Sequence, residues 1–203
     1  EHEYRVVLAA RRMERLHTIE EQIQASGGDA LSVPTDVSQL DQLRALIDIT
    51  MEHYDRVDVF FNNAGFGRLK ALEELAPRDD IQPQLEVNVL VLIYATRLIV
   101  PLMRKQGHGH IINMSSVAGF VAPPSYSVYS ATKYAVRGFT EALRREVVDT
   151  DIHVSGIYPG AVETEFAFHT GGNGYAGFET PDFLTLSSEK VAQVIWKVVQ
   201  RPR

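Results

Sequence analysis

The feature that most constrains this chain is the regular alternation of short β-branched runs with longer stretches of helical periodicity. Arg5-Val-Val-Leu-Ala-Ala10, Ala30 to Val33, Val57-Asp-Val-Phe-Phe61, His110-Ile-Ile-Asn-Met114 and Ile152 to Tyr158 read as strands. Between the first two, Met13, Leu16, Ile19 and Ile23 recur at helical spacing, and Gly27-Gly28 stands where a C-cap belongs. Ser38 opens a second helix, with Asp41 three residues on in a capping-box arrangement and an apolar stripe of Leu40, Leu43, Ile47 and Met51. Further helices are predicted over about Ile81 to Met103, Tyr126 to Val148 and Ser188 to Gln200. The alternation predicts βαβ units and therefore an α/β fold, a doubly wound parallel sheet with helices on both faces, as one domain over residues 1–203. Sheets of this kind bind ligands beyond the carboxyl ends of their strands. The unusual residues fall there: Arg11-Arg12, Asp36, Asn62-Asn63-Ala64-Gly65, Ser115-Ser116 and Pro159-Gly160 each follow a predicted strand.

Composition narrows the function classes. The 203 residues are 45% apolar and 23% charged, the balance of a globular domain. A net charge of −6 would repel a polyphosphate backbone, so nucleic acid is not an expected partner. The absence of Cys excludes disulfides, thiolate metal sites and a Cys nucleophile, and leaves the redox compartment open. No metal site is expected. The most apolar run, Val89 to Ala95, is far short of the ~20 residues that span a bilayer, and the start lacks the pattern of a secretory signal. The expectation is a soluble cytoplasmic protein with no membrane partner.

Tyr129-Ser-Ala-Thr-Lys133 places a phenol and an ammonium on the same side of a helix. A phenol with a pKa near 10 is a poor acid–base catalyst at neutral pH, and lowering it by about three units takes roughly 4 kcal/mol. A positive charge about 4 Å away supplies that much at an effective dielectric of about 20. The pair thus reads as a proton donor or acceptor tuned toward neutrality. Alone, the spacing is a weak sign; the plain alternative is a partly exposed Tyr and Lys on an amphipathic helix.

Other residues give the pair its context. Ser116 stands thirteen residues before Tyr129, Asn62-Asn-Ala-Gly65 follows a strand, and Asn88 lies in Val87-Asn88-Val89. Pro159-Gly160-Ala-Val-Glu-Thr164 and Thr35-Asp36-Val37 complete the set. On these elements, in this order and over most of its length, the chain resembles the short-chain dehydrogenases/reductases. The resemblance implies that Ser116 hydrogen-bonds the substrate oxygen as charge develops there, and that Tyr129 gives or takes that oxygen's proton. It implies that Lys133 lowers the Tyr129 pKa and binds the nicotinamide ribose, and that Asn88 holds a water linking Lys133 to solvent. Asn62, Ala64 and Gly65 would shape the loop beside the cofactor, with Gly65 allowing close backbone approach. Asp36 would lie near the adenine, Pro159 and Gly160 beside the nicotinamide, and Thr164 on its carboxamide. Ser115 reads as a strand-end Ser making a local turn.

The strand end at Ala10 bears on cofactor choice. Sites that prefer NAD usually carry an acidic residue there for the ribose 2′-OH. Here Ala10 precedes Arg11 and Arg12, and a guanidinium fork pairs with a 2′-phosphate. NADP(H) is therefore the expected cofactor, with Arg11 the main contact and Arg12 the second; the alternative is a solvated Arg pair opening a surface helix. The loop at about 165–186 carries Phe166, Phe168, Tyr175, Phe178 and Phe183 among several glycines. The resemblance places a substrate lid there, and a closing lid excludes water. An apolar or aromatic carbonyl or alcohol is the expected substrate, although the same aromatics have packing as their alternative. His169 is given no catalytic role. Association through the stretches near 81–103 and 126–148 would give a homodimer or homotetramer, as in the family.

Two positions depart from the family without touching the chemistry: Val91 and Asp55 stand where relatives often have Gly. The family's opening strand and its Thr-Gly-x-x-x-Gly-x-Gly turn, which cradles the pyrophosphate, have no counterpart in the sequence. Glu1-His-Glu-Tyr4 resembles the end of the helix after that turn, and a last strand is expected after Pro202. The opening strand belongs at the sheet's centre, so a polypeptide heavier than 22.7 kDa is expected. Three functions stand in view. The first is an NADP(H)-dependent oxidoreductase interconverting a carbonyl and an alcohol. The others are an inactive nucleotide-sensing or scaffold protein, and a lyase or epimerase using the same Tyr and Lys.

Overall fold

The computed structural model describes residues 4–163 and 185–202, in two compact units, residues 1–57 and 58–203. In the first unit, β1 (Arg5–Ala10) and β2 (Asp29–Pro34) pair in parallel from Arg5↔Asp29 to Ala10↔Pro34. The crossover between them is α1 (Met13–Ala25), and α2 (Leu40–Tyr54) follows β2. α1 ends as its glycines predict. Gly27 takes φ +80°, and the Gly27 and Gly28 N–H groups donate to the Gln24 and Ile23 carbonyls, each at 2.9 Å, a Schellman cap. Of the α1 stripe only Leu16 is buried; Met13 and Ile19 are exposed.

The start of α2 corrects the capping expectation. The Asp36 carboxylate accepts hydrogen bonds from the Ser38 N–H (3.1 Å) and hydroxyl (2.8 Å). This Asx turn engages the hydroxyl a capping box would need. The helix therefore begins at Leu40, with Gln39 at the N-cap position making no side-chain cap. Leu40 is exposed, while Leu43, Leu46, Ile47 and Tyr54 form the buried face. At the other end Asp55 takes the left-handed conformation, φ 57°.

In the second unit, β3 (Val59–Asn62), β4 (Gly109–Met114) and β5 (Ile152–Ile157) form a parallel sheet in that order. The β1–β2 ladder is separate from it. Parallel neighbours require crossovers: α3 (Pro77–Gln106) joins β3 to β4, and α4 (Ser127–Glu146) joins β4 to β5. β4 is central, with Ile111, Ile112 and Asn113 fully buried. β6 (Val162–Glu163) pairs in parallel with β7 (Leu186–Ser187). β7 leads into α5 (Ser188–Gln200), where the Ser187 hydroxyl accepts from the Lys190 N–H at 3.3 Å.

α3 begins earlier than its periodicity suggests and contains two widened turns, Pro77–Ile81 and Glu86–Val91. By length and composition it is long and apolar enough to cross a membrane, which the shorter Val89–Ala95 run did not indicate. Its packed side sets polar residues among the buried Leu92, Ala95, Ile99 and Met103. Gln84, Asn88 and Thr96 are at most 2% exposed and are hydrogen-bonded to the Arg68 N–H, to Phe66 and to Asn62 respectively. These bonds hold it as a helix of this unit's core.

Candidate active site

The carboxyl ends of β3, β4 and β5 lie on one edge of their sheet because all three strands run parallel. Asn63-Ala64-Gly65, Ser115-Ser116 and Pro159-Gly160 follow those ends, as the sequence predicts. The Ser116 hydroxyl oxygen accepts from the Ala118 N–H (3.1 Å), and the hydroxyl donates to the Pro159 carbonyl (3.3 Å). The Ser116 hydroxyl also stands near enough to the Tyr129 phenol to lower its pKa. One serine therefore touches its own turn, the segment after β5 and the first turns of α4.

Lys133 is held to the β4 end twice. Its ammonium donates to the Met114 carbonyl at 3.0 Å, and its own carbonyl accepts the Ser115 hydroxyl at 3.0 Å. Ser115 thus ties β4 to α4 rather than closing a local turn, which corrects the sequence reading. Gly119 closes the same contact: a Cβ there would stand 2.9 Å from the Lys133 carbonyl oxygen. Only glycine lets the turn after Ser116 lie so close to the α4 backbone.

Tyr129 and Lys133 are 7% and 4% exposed, and burial governs both. It pushes the Tyr129 phenol up to about 12, against a lowering by the nearby Ser116 hydroxyl and with a further rise from Tyr126. It pulls the Lys133 ammonium down to about 8. The ammonium lies 5.6 Å from the centre of the Tyr129 ring. The expected lowering of the phenol pKa by Lys133 is not found in this geometry, where burial governs the phenol and the ammonium faces the Met114 carbonyl.

Asn88 sits in the second widened turn of α3, a feature that often marks functional positions. Its side-chain oxygen accepts from the Phe66 N–H (2.9 Å), and its amide donates to the Phe66 carbonyl (2.8 Å) and the Thr132 hydroxyl (3.1 Å). The side chain clamps the 63–66 loop to α4. A Cβ at Gly65 would lie 3.0 Å from Asn88 Oδ1 and 3.6 Å from Lys133 Nζ. Asn62 is turned to the core instead. Its amide donates to Thr96 (3.1 Å) and Asn113 (2.9 Å), and Asn113 donates on to Thr140 (3.0 Å). Pro159 supplies the carbonyl that Ser116 holds, and a Cβ on Gly160 would meet nothing within 4 Å.

In the first unit, Arg11 and Arg12 are exposed just beyond β1. Asp36 follows β2, its carboxyl held below the usual range by the Ser38 hydrogen bond and, more weakly, by the Arg11 charge. Thr164, His169 and the aromatics Phe166 to Phe183 lie outside the described residues. Among the described residues no group of three His, Asp or Glu side chains is placed to hold a metal. Sequence reasoning passed over Thr132, Gly119 and Tyr126, whose ring packs edge-on 6.2 Å from that of Tyr129. The signal for Thr132 lay inside Tyr129-Ser-Ala-Thr-Lys133, at a position where spacing alone assigns no task.

Comparison with known proteins places this arrangement in a lineage. The family model described as short chain dehydrogenase matches residues 1–171. An uncharacterised oxidoreductase of Staphylococcus saprophyticus is 41% identical over 168 residues, which are 81% of this chain and 67% of that protein. The chain spans about two thirds of the length of the curated relatives it matches. Among solved structures, a closed serine dehydrogenase complexed with NADP+ superposes with a TM-score of 0.83 at 28% identity, covering 98% of this chain and 80% of the other. A short-chain dehydrogenase/reductase from Burkholderia phymatum in complex with NAD gives 0.87 at 28% identity, covering 98% and 78%. The parallel α/β architecture with helices on both sides is thus the Rossmann-like fold of these enzymes, and with a matching family model over most of its length the chain belongs to the short-chain dehydrogenase family.

Proposed function

We propose that this protein is an oxidoreductase that transfers hydride between NADP(H) and a carbonyl or alcohol, with Tyr129 as general acid/base. The observation that carries the reading is the buried grouping of Ser116 and Tyr129, with Lys133 buried one turn further along α4. A phenol pushed up to about 12 stays protonated at neutral pH, the form that donates to a nascent alkoxide during reduction. Ser116 would turn its hydroxyl from the Pro159 carbonyl to the substrate oxygen and stabilise the same charge. Lys133 has three N–H donors, and its bond to the Met114 carbonyl leaves others to hold ribose hydroxyls. The close approach of Gly65 to Lys133 and the open face of Gly160 fit a nicotinamide ribose beside these residues, with Ala64 and Thr164 as further contacts and Asp36 toward the adenine. The cofactor, when bound, supplies the hydride.

Val117, Phe120 and Val121 remain 44–59% exposed directly after Ser116, which supports an apolar or aromatic substrate. Arg11 and Arg12 support NADP(H) over NAD(H). Exposed Leu85, Leu90 and Tyr94 on α3 support a homodimer or homotetramer, which sedimentation would reveal.

The deciding experiment follows NADPH consumption by the full-length protein with a panel of carbonyl compounds. Tyr129→Phe is expected to lower the rate by about a hundredfold or more while NADPH still binds; full activity in that variant would sink the mechanism. A wild type that binds NADPH without turnover would favour the sensing or scaffold alternative. Arg11→Ala is expected to weaken NADPH binding by about tenfold or more through loss of a charge-assisted contact, with NADH little changed. Equal losses for both cofactors would refute the preference.

A further inference from the structure

Resting on that reading, the contacts behind Tyr129 carry one more assignment. We propose that Thr132 is a positioning residue that fixes the Tyr129 turn of α4 against the 63–66 loop through Asn88. Thr132 is wholly buried. Its hydroxyl donates to the Tyr129 carbonyl at 2.7 Å and accepts from the Asn88 amide at 3.1 Å. The regular helical partner of the Tyr129 carbonyl is the N–H four residues on, which belongs to Lys133. The Thr132 hydroxyl adds a second donor to the carbonyl linking the phenol residue to the ammonium residue.

The remaining contacts of Asn88 go to the backbone of Phe66, on both its N–H and its carbonyl. A continuous series of bonds therefore runs from Tyr129 through Thr132 and Asn88 to Phe66. At its far end, Gly65 lies against Asn88 and Lys133. Reacting groups lose rate steeply when displaced by as little as about 1 Å, so a tether at the base of Tyr129 acts on turnover. Both partners of the Thr132 hydroxyl are groups of the protein. Valine matches the shape of threonine but has no hydroxyl, and would leave the Tyr129 turn without its tether and the Asn88 amide short of an acceptor. Serine keeps both bonds.

The test compares Thr132→Val and Thr132→Ser in the full-length protein. Thr132→Val is expected to lower kcat by about tenfold or more, with NADPH affinity by fluorescence titration unchanged and wild-type kcat retained in Thr132→Ser. In protein carrying ring-labelled tyrosine, the Tyr129 NMR signal, identified by its loss in Tyr129→Phe, is expected to shift in Thr132→Val and not in Thr132→Ser. A valine variant with wild-type kcat and an unshifted signal would overturn the proposal. So would a serine variant as impaired as valine. If the wild type oxidises NADPH with no carbonyl, the functional reading fails and the Tyr129 signal decides Thr132 by itself: a shift in valine supports the tether, no shift removes it. Should the valine chain not fold, Thr132→Ala takes its place with the same expectations.

Discussion

At Gly119 a single methyl group decides whether the turn after Ser116 can touch α4. An added Cβ would lie 2.9 Å from the Lys133 carbonyl oxygen and 3.0 Å from the Ser115 hydroxyl. The first is backbone, which cannot swing aside as a flexible side chain would. Gly119→Ala is expected to cost about 1–3 kcal/mol, read as a lower urea midpoint, and to reduce turnover more than cofactor affinity by moving Ser116 from Tyr129. Residues such as Ser116, Tyr129 and Lys133 were legible in the sequence because their spacing is itself the signal. The direction of the Tyr129 pKa was not, because burial sums the surroundings of the whole phenol whereas the spacing reported one charge. Asn88 was recognisable by type and place, yet its clamp on Phe66 depends on a loop more than twenty residues away in the chain.

Among the elements, α2 shows most plainly how local signals compete. Ser38 and Asp41 form a plausible capping box on paper, but Asp36, two residues earlier, captures the serine hydroxyl first. The Gly27-Gly28 cap of α1 was readable because the left-handed position that closes a helix, φ +80° at Gly27, favours glycine. The end of α2 uses Asp55 in the left-handed region, φ 57°, a conformation that costs a side-chain-bearing residue about 1 kcal/mol, less for Asp than for most. Its carboxylate also lies at the negative end of the helix dipole. Asp55→Gly relieves both and gives up some unfolded-state entropy, so a net gain of up to about 1 kcal/mol is expected, seen as a raised Tm. The membrane-length character of α3 escaped the run-length argument because buried Gln84, Asn88 and Thr96 interrupt its apolar sequence while its periodicity continues through them.

For the molecule as a whole, stability should depend on pH through His110 on β4. It is 4% exposed, and its Nε2 meets the Ser155 hydroxyl at 2.9 Å. Its Nδ1 has no hydrogen-bond partner among the described residues. Burial, helped by His153, pulls its pKa from 6.5 to about 4. The unfolded chain binds this proton more readily, so the stability is intact above about 6.5 and is lost progressively as the pH falls toward about 4. The full effect is on the order of 3 kcal/mol. His110→Gln is expected to flatten that part of a urea-midpoint-against-pH curve; an unchanged slope would show that other groups produce it. The parallel fold was legible from strand–helix alternation, which admits few other arrangements. The small β6–β7 ladder has a bearing on how such a protein diversifies. Two paired rungs, Val162↔Leu186 and Glu163↔Ser187, bring the two ends of the intervening segment together. Loop closure costs only about 0.6 kcal/mol more for each doubling of length. A change in the length of the sequence between the rungs therefore costs little in closure and leaves the contacts of Ser116 with Pro159 and Ala118 untouched.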